Sequence, residues 1–595
     1  MKHLLSLLTF ITISLSLQSQ DTSWLTYYEK SNFKETPRYK ETIEFSKRLA
    51  RNSDWVNYQT FGKSPQNRKL PLILVNKNQK FTNKAFKQSE KATLLIEACI
   101  HPGEPEGKDA GLMLLRDIAI HKKHEHLLNH VNILFIPIFN VDGHERFGPY
   151  NRINQNGPKE MGWRTTAQNL NLNRDFLKAD APEMKHWLKM FNKWMPDFFI
   201  DIHTTNGADY QYPLTYAMEV HGNMDTGLTE WQKNTYIKTI SKKMNKAGYP
   251  IFPYISFRDW HNPESGLEAW AAKPRLSQGY TAIQNRPGLL IETHMLKDYK
   301  TRVSATYEMI KLTLNILNKE YKNLQELIKK ADSYTASEEF RNKPFPVDFS
   351  ATNDCTIVKY KGIEYKKVHS DLTDTEWFKY GEKPITQNIE YYNDIKPTEN
   401  VSLPECYIIP PEWETIIEKI KLHGIKTYTL SERIKIDINS YLFTNVNWRD
   451  KPYEGRQRIT NLNLKPYNKT ESFPAGSILI PTNQQRARVI AHMLEPKAPD
   501  SFVKWGFFNA IFEQKEYAEL YVMEEKARKM LKENPSLKQK FIEKKKNNKA
   551  FANNPWAISN WFYRRTSYWD EKKNNYPVGK IFDREIFNQL LKKVD

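Results

Sequence analysis

The sequence predicts an α/β protein, a sheet with helices on both faces, followed by a smaller β-rich α+β domain and a helical C-terminal region. Three observations predict it. Short apolar runs recur at "LLIEACI" (94–100), "NILFIPI" (132–138), "FFIDIH" (198–203) and "GLLIETH" (288–294), each of a length suited to a buried strand. Helical patterns fall between strands, as they must when both faces of a sheet are covered. Near residue 330 the pattern changes to longer alternating stretches, and beyond 500 to helices.

Each element follows in order. Met1-Lys2-His3 precede an uncharged apolar stretch, Leu4 to Leu17, and then Gln18-Ser19-Gln20. That is the layout of a secretory signal peptide, with Ser19 the expected last residue before cleavage. The stretch is short for a membrane span, and no other run is apolar enough to make one. Pro37 to Ala50 is helical in pattern; "VNYQTFG" and "LPLILVN" read as strands flanking the turn-rich "GKSPQNR". A helix is expected from Gly107 to about Ile120. In the second domain, "CTIVKYKGIEYKKV" (355–368) reads as a hairpin turning near Gly362, and "IKIDIN" and "GSILIP" as strands. Between them Pro411-Glu412-Trp413 starts a helix with Trp413, Ile416, Ile417 and Ile420 on one face, and Gly424 suits its stop. The expected organisation is a signal peptide at 1–19, a catalytic domain at 20–330, an accessory domain at 335–490 and a helical region at 491–595 packed on the rest.

Composition narrows the function. Three cysteines, Cys99, Cys355 and Cys406, exclude a disulfide framework in a chain of 595 residues. Cys99 reads as a small buried hydrophobe, and a Cys355–Cys406 bridge is conceivable. The net charge of +20 is spread along the chain as lysine, with the densest run at Glu543-Lys544-Lys545-Lys546, so it reads as a solvated surface. No nucleic-acid partner is expected. "NWFYRRTSYWDE" (560–571) reads as a docking face against the catalytic domain.

The chemistry begins where the first apolar run ends, at His101-Pro102-Gly103-Glu104. A His-x-x-Glu pair offers one imidazole nitrogen and one carboxylate to a metal, and a catalytic zinc takes three protein ligands plus water. Pro102 disfavours helix at His101, so both side chains should hang over a strand end, where open α/β sheets bind ligands. An isolated pair is more often a polar loop or a surface pair. Two more occur: His261-Asn262-Pro263-Glu264 in a loop, and His492-Met493-Leu494-Glu495, expected on a helix surface. The run "FFIDIHTTNG" supplies a third ligand candidate, His203, with Asp201 on the same face to orient it; the alternative is a core histidine bonded to Asp201. Glu292 lies inside an otherwise apolar strand, and a buried glutamate needs an ion-pair partner or a chemical task. His294 competes with it on the same face.

The order His-x-x-Glu, Trp163-Arg164, Asn173-Arg174, His203, Glu292, with "NVDGHERFG" (140–148) between, resembles the zinc carboxypeptidases of the funnelin type over about residues 37 to 320. The resemblance implies a mixed, mostly parallel sheet and one Zn2+ held by His101, Glu104 and His203. It implies Glu292 as general base, Arg164 over the scissile carbonyl, and Asn173 and Arg174 on the substrate's terminal carboxylate. It also implies an active-site tyrosine before the glutamate, for which the nearest candidate is Tyr280. One departure stands out: the usual acidic residue two before the Asn-Arg pair is Asn171, which leaves the partner of the first histidine open. The implied protein is an exported zinc carboxypeptidase acting on peptides or peptide-like substrates with a free carboxylate. An amidase on cell-wall peptides, a deacylase of acylated amino acids, or a non-catalytic binding protein on the same fold are the alternatives.

Overall fold

The computed structural model describes residues 22–594; the signal-peptide expectation, 1–19, lies outside them. The first nine strands are β1 (Val56–Lys63), β2 (Lys69–Val75), β3 (Ala92–Glu97), β4 (Val131–Ile136), β5 (Phe198–Thr205), β6 (Leu214–Met218), β7 (Ile251–Pro253), β8 (Leu267–Glu268) and β9 (Gly288–His294). Eight of them form one sheet in the order β1-β2-β4-β3-β5-β9-β6-β7. Its centre, β4-β3-β5-β9, is parallel, while β1, β2 and the β9–β6 contact are antiparallel. The sheet is therefore mixed and mostly parallel. The apolar runs are explained by this placement, because a parallel strand covered on both faces has no side that can be polar.

Alternate residues of each central strand feed two cores. Leu94, Ile96, Ile133, Phe135, Ile200 and Ile202 face one way, towards the helices Tyr39–Asn52, Glu106–Ala119 and Tyr299–Thr335. Leu95, Leu134, Ile136 and Phe199 face the other way, onto helix Pro182–Trp194 and onto Tyr407, Ile409 and Ile480 of the accessory domain. Helix Glu106–Ala119 lies directly on the sheet because Gly107 and Gly111 share its inner face. A Cβ on Gly111 would come within 2.3 Å of the Phe135 ring, and one on Gly107 within 2.8 Å of Ile202 Cβ. The helix buries charge as well, each group with a partner: Glu106 takes Arg302 Nε at 2.9 Å, and Lys108 Nζ meets His144 Nε2 at 2.9 Å. The chain leaves β3 for β4 on one side and returns to β5 on the other. The carboxyl ends of β3 and β5 therefore flank a topological switch point.

The accessory strands are β10 (Phe345–Ala351), β11 (Thr356–Ser370), β12 (Thr375–Tyr392), β13 (Ile395–Val401), β14 (Cys406–Ile409), β15 (Tyr428–Thr429), β16 (Ile434–Trp448), β17 (Ile459–Phe473), β18 (Ile478–Pro481) and β19 (Gly579–Ile581). The last six make one sheet, β15-β18-β14-β19-β16-β17, and the two-residue β8 of the catalytic region pairs with β12. A strand from the C-terminal region thus lies inside the accessory sheet. Helix Glu414–Leu422 buries Ile416, Ile417 and Ile420, and Gly424 follows it at φ 70° as a left-handed stop.

Several expectations need correcting. Gly362 is not a turn: β11 runs through it and pairs with Ile385 on β12, and the chain reverses after Ser370. Glycine serves there because a Cβ would sit 2.7 Å from the Tyr360 ring. The apolar run 94–100 is strand only as far as Glu97, the end of β3, and Cys99 follows it in a left-handed conformation, fully buried. Cys355 and Cys406 are both free. His492 is buried rather than on a helix surface, edge-on to Phe345. Phe562 and Tyr563 pack with Met523, Ala527 and Phe541 within the C-terminal helices, so the 560–571 stretch does not dock on the catalytic domain. No helix among the described residues is long and apolar enough to cross a membrane.

Candidate metal centre and active site

His101 and Glu104 occupy a turn just beyond β3, closed by the Glu104 N–H on the His101 carbonyl at 2.9 Å. Glycine at 103 lets Arg152 pass over the turn, since a Cβ would meet Arg152 Cγ at 2.8 Å and the Gly162 carbonyl at 3.1 Å. His203 stands on β5, next to Glu292 on β9 in parallel register. Parallel neighbours in register project to the same face, so the strand pairing alone brings the carboxylate alongside the histidine.

Three donor atoms converge. His101 Nδ1 lies 3.2 Å from Glu104 Oε2 and 3.2 Å from His203 Nδ1, and His203 Nδ1 lies 3.0 Å from Glu104 Oε2. All three side chains are buried. These edges are close to the roughly 3.3–3.5 Å separating ligand atoms around a tetrahedral zinc with bonds of about 2.0–2.2 Å.

The outer nitrogens explain why the inner ones face each other. His203 Nε2 sits 2.7 Å from Asp201 Oδ2, so its N–H points out and Nδ1 points in. His101 Nε2 sits 2.9 Å from Asn171 Oδ1. That oxygen also accepts the Asn173 N–H at 3.0 Å, which fixes the amide orientation and makes His101 Nε2 the donor. Asn171 thereby does for His101 what Asp201 does for His203, without a charge.

The electrostatics call for a positive charge at this centre. Burial holds the His101 imidazole down at about 4, opposed by Glu104. Burial also opposes protonation of His203, but Asp201 and Glu104 outweigh it and hold that imidazole well above its ordinary value. Burial works against the Glu104 anion, yet His101 and Arg152 keep it well below the usual carboxylate range. Burial pushes Glu292 up to about 8, with Glu104 and Asp201 adding to it and His203 and Arg164 opposing. Behind the site, burial raises Glu97 well above the carboxylate range beside Asp201, its neighbour in register. The donor set, with two imidazole nitrogens and one carboxylate oxygen turned inward, fits a divalent cation, which would take the place of the proton His203 holds.

The remaining predicted residues divide. Arg164 Nη1 lies 3.2 Å from Glu104 Oε1 at the edge of the site. Arg174 is partly exposed, its Nη1 on the Asn173 carbonyl at 2.6 Å. Asn173 is buried, with Nδ2 3.3 Å from His203 Nε2 and Oδ1 accepting the Ser277 N–H. His294 turns away, onto Asp209 at 2.8 Å and the face of Tyr210. Tyr280 is not in the site: it is fully buried among Phe176, Trp187 and Phe191, with its hydroxyl 2.7 Å from His423 Nδ1 at the junction with the accessory domain.

Two residues were missed. Arg152 Nη1 holds Glu104 Oε1 at 2.8 Å, closer than Arg164 does. Tyr254 follows β7, and its hydroxyl accepts the Thr205 hydroxyl proton at 3.3 Å, two residues beyond His203 on β5; burial raises the phenol to about 12, with Glu292 adding to it. It lines a cavity of about 480 Å3 together with Ala217, Ala269, Trp270, Ala272 and Gln278. The three-residue β7 was too short for a strand pattern to flag Tyr254, and nothing in "YNRIN" distinguishes Arg152 from any loop arginine.

An α/β sheet with a buried His/Glu/His donor set at its switch point, and a carboxylate one strand away, defines the class of metal-dependent hydrolases. Known proteins show the same likeness over part of the chain. Residues 42–300 match the zinc carboxypeptidase family. The chain is 24% identical to Carboxypeptidase 2 of Trichophyton rubrum over 487 residues, 79% of this chain and 84% of that one, and 25% identical to Carboxypeptidase 2 of Trichophyton equinum over 490 residues, 79% and 84%. Among solved structures, carboxypeptidase A of Helicoverpa armigera aligns at 16% identity and TM-score 0.36, over 49% of this chain and 75% of that one. Residues 42–300 therefore carry a domain similar to the zinc carboxypeptidases, which supports a zinc-dependent hydrolase.

Proposed function

We propose that this chain is an exported zinc carboxypeptidase that removes the C-terminal residue of peptides, with Glu292 as its general base. The observation that carries the reading is the set of three inward-facing donor atoms within 3.0–3.2 Å of one another, one strand away from Glu292. His101, Glu104 and His203 would hold the zinc, which when bound supplies a water of lowered pKa and a Lewis acid for the scissile carbonyl.

The chain's own residues do the rest. Glu292 accepts a proton at its carboxylate and returns it to the leaving amine; burial favours the protonated form it passes through. Arg164, next to Glu104 and partly open to solvent, turns to the carbonyl oxygen as charge develops there. Arg174 grips the substrate's terminal carboxylate, and Asn173 supports the segment from its buried position. Tyr254, hydrogen-bonded to Thr205 and lining the neighbouring cavity, takes the place expected for Tyr280. Export is supported by Lys2 and the uncharged stretch Leu4 to Leu17.

The test is paired: zinc per chain in the mature protein, and release of free amino acids from a mixed peptide library with and without a chelator. One zinc and chelator-sensitive C-terminal trimming is the expected result. One zinc without trimming would reject the peptidase reading and direct assays to cell-wall peptides and acylated amino acids.

A further inference from the structure

The accessory domain reaches the catalytic domain at a four-residue turn, Tyr453-Glu454-Gly455-Arg456. Tyr453 and Arg456 exchange both backbone hydrogen bonds, at 2.9 and 3.1 Å, and the two central residues are left-handed, at φ 51° and 74°. This is a tight primed turn whose tip is fixed in direction. The turn contacts the segment that carries Asn171, Asn173 and Arg174. Tyr453 Oη accepts the Arg174 Nε–H at 3.2 Å. Glu454 Oε2 accepts the Asn171 N–H at 2.9 Å. Arg456 clamps Asp180 through Nε and Nη2 at 2.9 and 2.8 Å, and Lys419 adds a second cation to the same carboxylate at 2.8 Å. Gly455 lets the backbone come close, since a Cβ would stand 3.3 Å from Leu170. The Tyr453 ring lies nearly parallel to that of fully buried Trp505, 6.0 Å away.

A domain that merely covered the sheet would bury apolar surface at this point. This one makes directional hydrogen bonds to the residues on either side of Asn173. The hydrogen bond from Arg174 uses Tyr453 as acceptor, which leaves the hydroxyl O–H to donate in another direction. Arg174 spends Nε on Tyr453 and Nη1 on the Asn173 carbonyl, which leaves Nη2 beside that hydroxyl.

We propose that the accessory domain completes the carboxylate subsite: Tyr453 donates its hydroxyl proton to the substrate's terminal carboxylate, beside the Arg174 guanidinium, and the Glu454 and Arg456 contacts hold it there. The proposal rests on the reading of Arg174 as the carboxylate clamp. It makes Tyr453 a specificity determinant contributed from outside the matched catalytic segment, and selects for ligands bearing a free carboxylate.

The experiment uses the full-length, zinc-loaded protein with Tyr453→Phe and Arg174→Ala. Affinity for a short peptide acid and for its C-terminal amide is measured by calorimetry, alongside kcat and KM, zinc content and melting temperature. Tyr453→Phe should weaken the acid and raise KM about tenfold, the usual effect of losing one hydrogen bond to a charged group. Amide affinity, zinc content and melting temperature should hold, and kcat should change by no more than about twofold. Wild-type acid affinity in Tyr453→Phe, with a loss in Arg174→Ala, would overturn the role of Tyr453 alone. Unchanged acid affinity in Arg174→Ala would overturn the clamp itself, and the proposal with it. Equal loss of acid and amide in Tyr453→Phe would make the tyrosine a packing residue and reject the proposal.

Discussion

Asn171 Oδ1 accepts the Nε2 proton of His101 at 2.9 Å and thereby turns the Nδ1 lone pair of that histidine towards Glu104 and His203. A neutral amide serves where an acid would be usual. The Asn173 N–H keeps the amide from flipping, and Glu454 of the accessory domain holds the Asn171 backbone. Replacing Asn171 with leucine should leave the fold intact and weaken zinc binding about 10–100-fold, the usual cost of losing a partner that orients a metal-binding histidine. Asn171→Asp should retain zinc. Competition against a fluorescent chelator measures both, and unchanged affinity in the leucine variant would remove Asn171 from the site.

Glu292→Gln should keep one zinc per chain and lose nearly all turnover, because the amide cannot accept a proton. Metal analysis beside a peptide-hydrolysis assay decides it; a variant with wild-type kcat would mean that another group is the base.

The pH profile follows from the same residue. Burial raises Glu292 to about 8 in the metal-free protein, and a bound divalent cation would pull it back towards the ordinary carboxylate range. The base works only when ionised. Hence kcat/KM should rise with pH through a midpoint above about 4.5 and below about 8, and fall as pH drops through it. A profile flat down to pH 4 would contradict the assignment.

Glu183 offers a stability test away from the chemistry. It is fully buried at the start of helix Pro182–Trp194, with neither carboxylate oxygen hydrogen-bonded. Burial pushes it up to about 7. A raised folded pKa gives stability that is complete below the unfolded value of about 4.5 and lost as pH rises through about 7. Glu183→Gln should therefore melt higher than wild type at pH 8, by an amount on the order of 2–3 kcal/mol, and nearly level with it at pH 4.5. A difference independent of pH would show that the carboxyl is not titrating.

The sequence alone was sufficient for the centre of the sheet and for the types of ligand. β3, β4, β5 and β9 are buried on both faces, and only a continuous apolar run can be, so His203 and Glu292 stand out as exceptions in their own strands. Local periodicity reports how buried a residue is and says nothing of what lies opposite. The short β6 and β7, and with them Tyr254, therefore carry no pattern of their own, and the sequence points instead to Tyr280, equally aromatic and nearer to Glu292 along the chain. Arg152 reaches Glu104 only because the loop returns over Gly103. The contact between Glu454 and Asn171 joins positions 283 apart in the chain. Pairings of that kind are set by how two domains pack, through hydrogen bonds whose partners share no pattern along the chain, and it is there that the tertiary structure decided which residues stand around the His101, Glu104 and His203 donors and around Arg174.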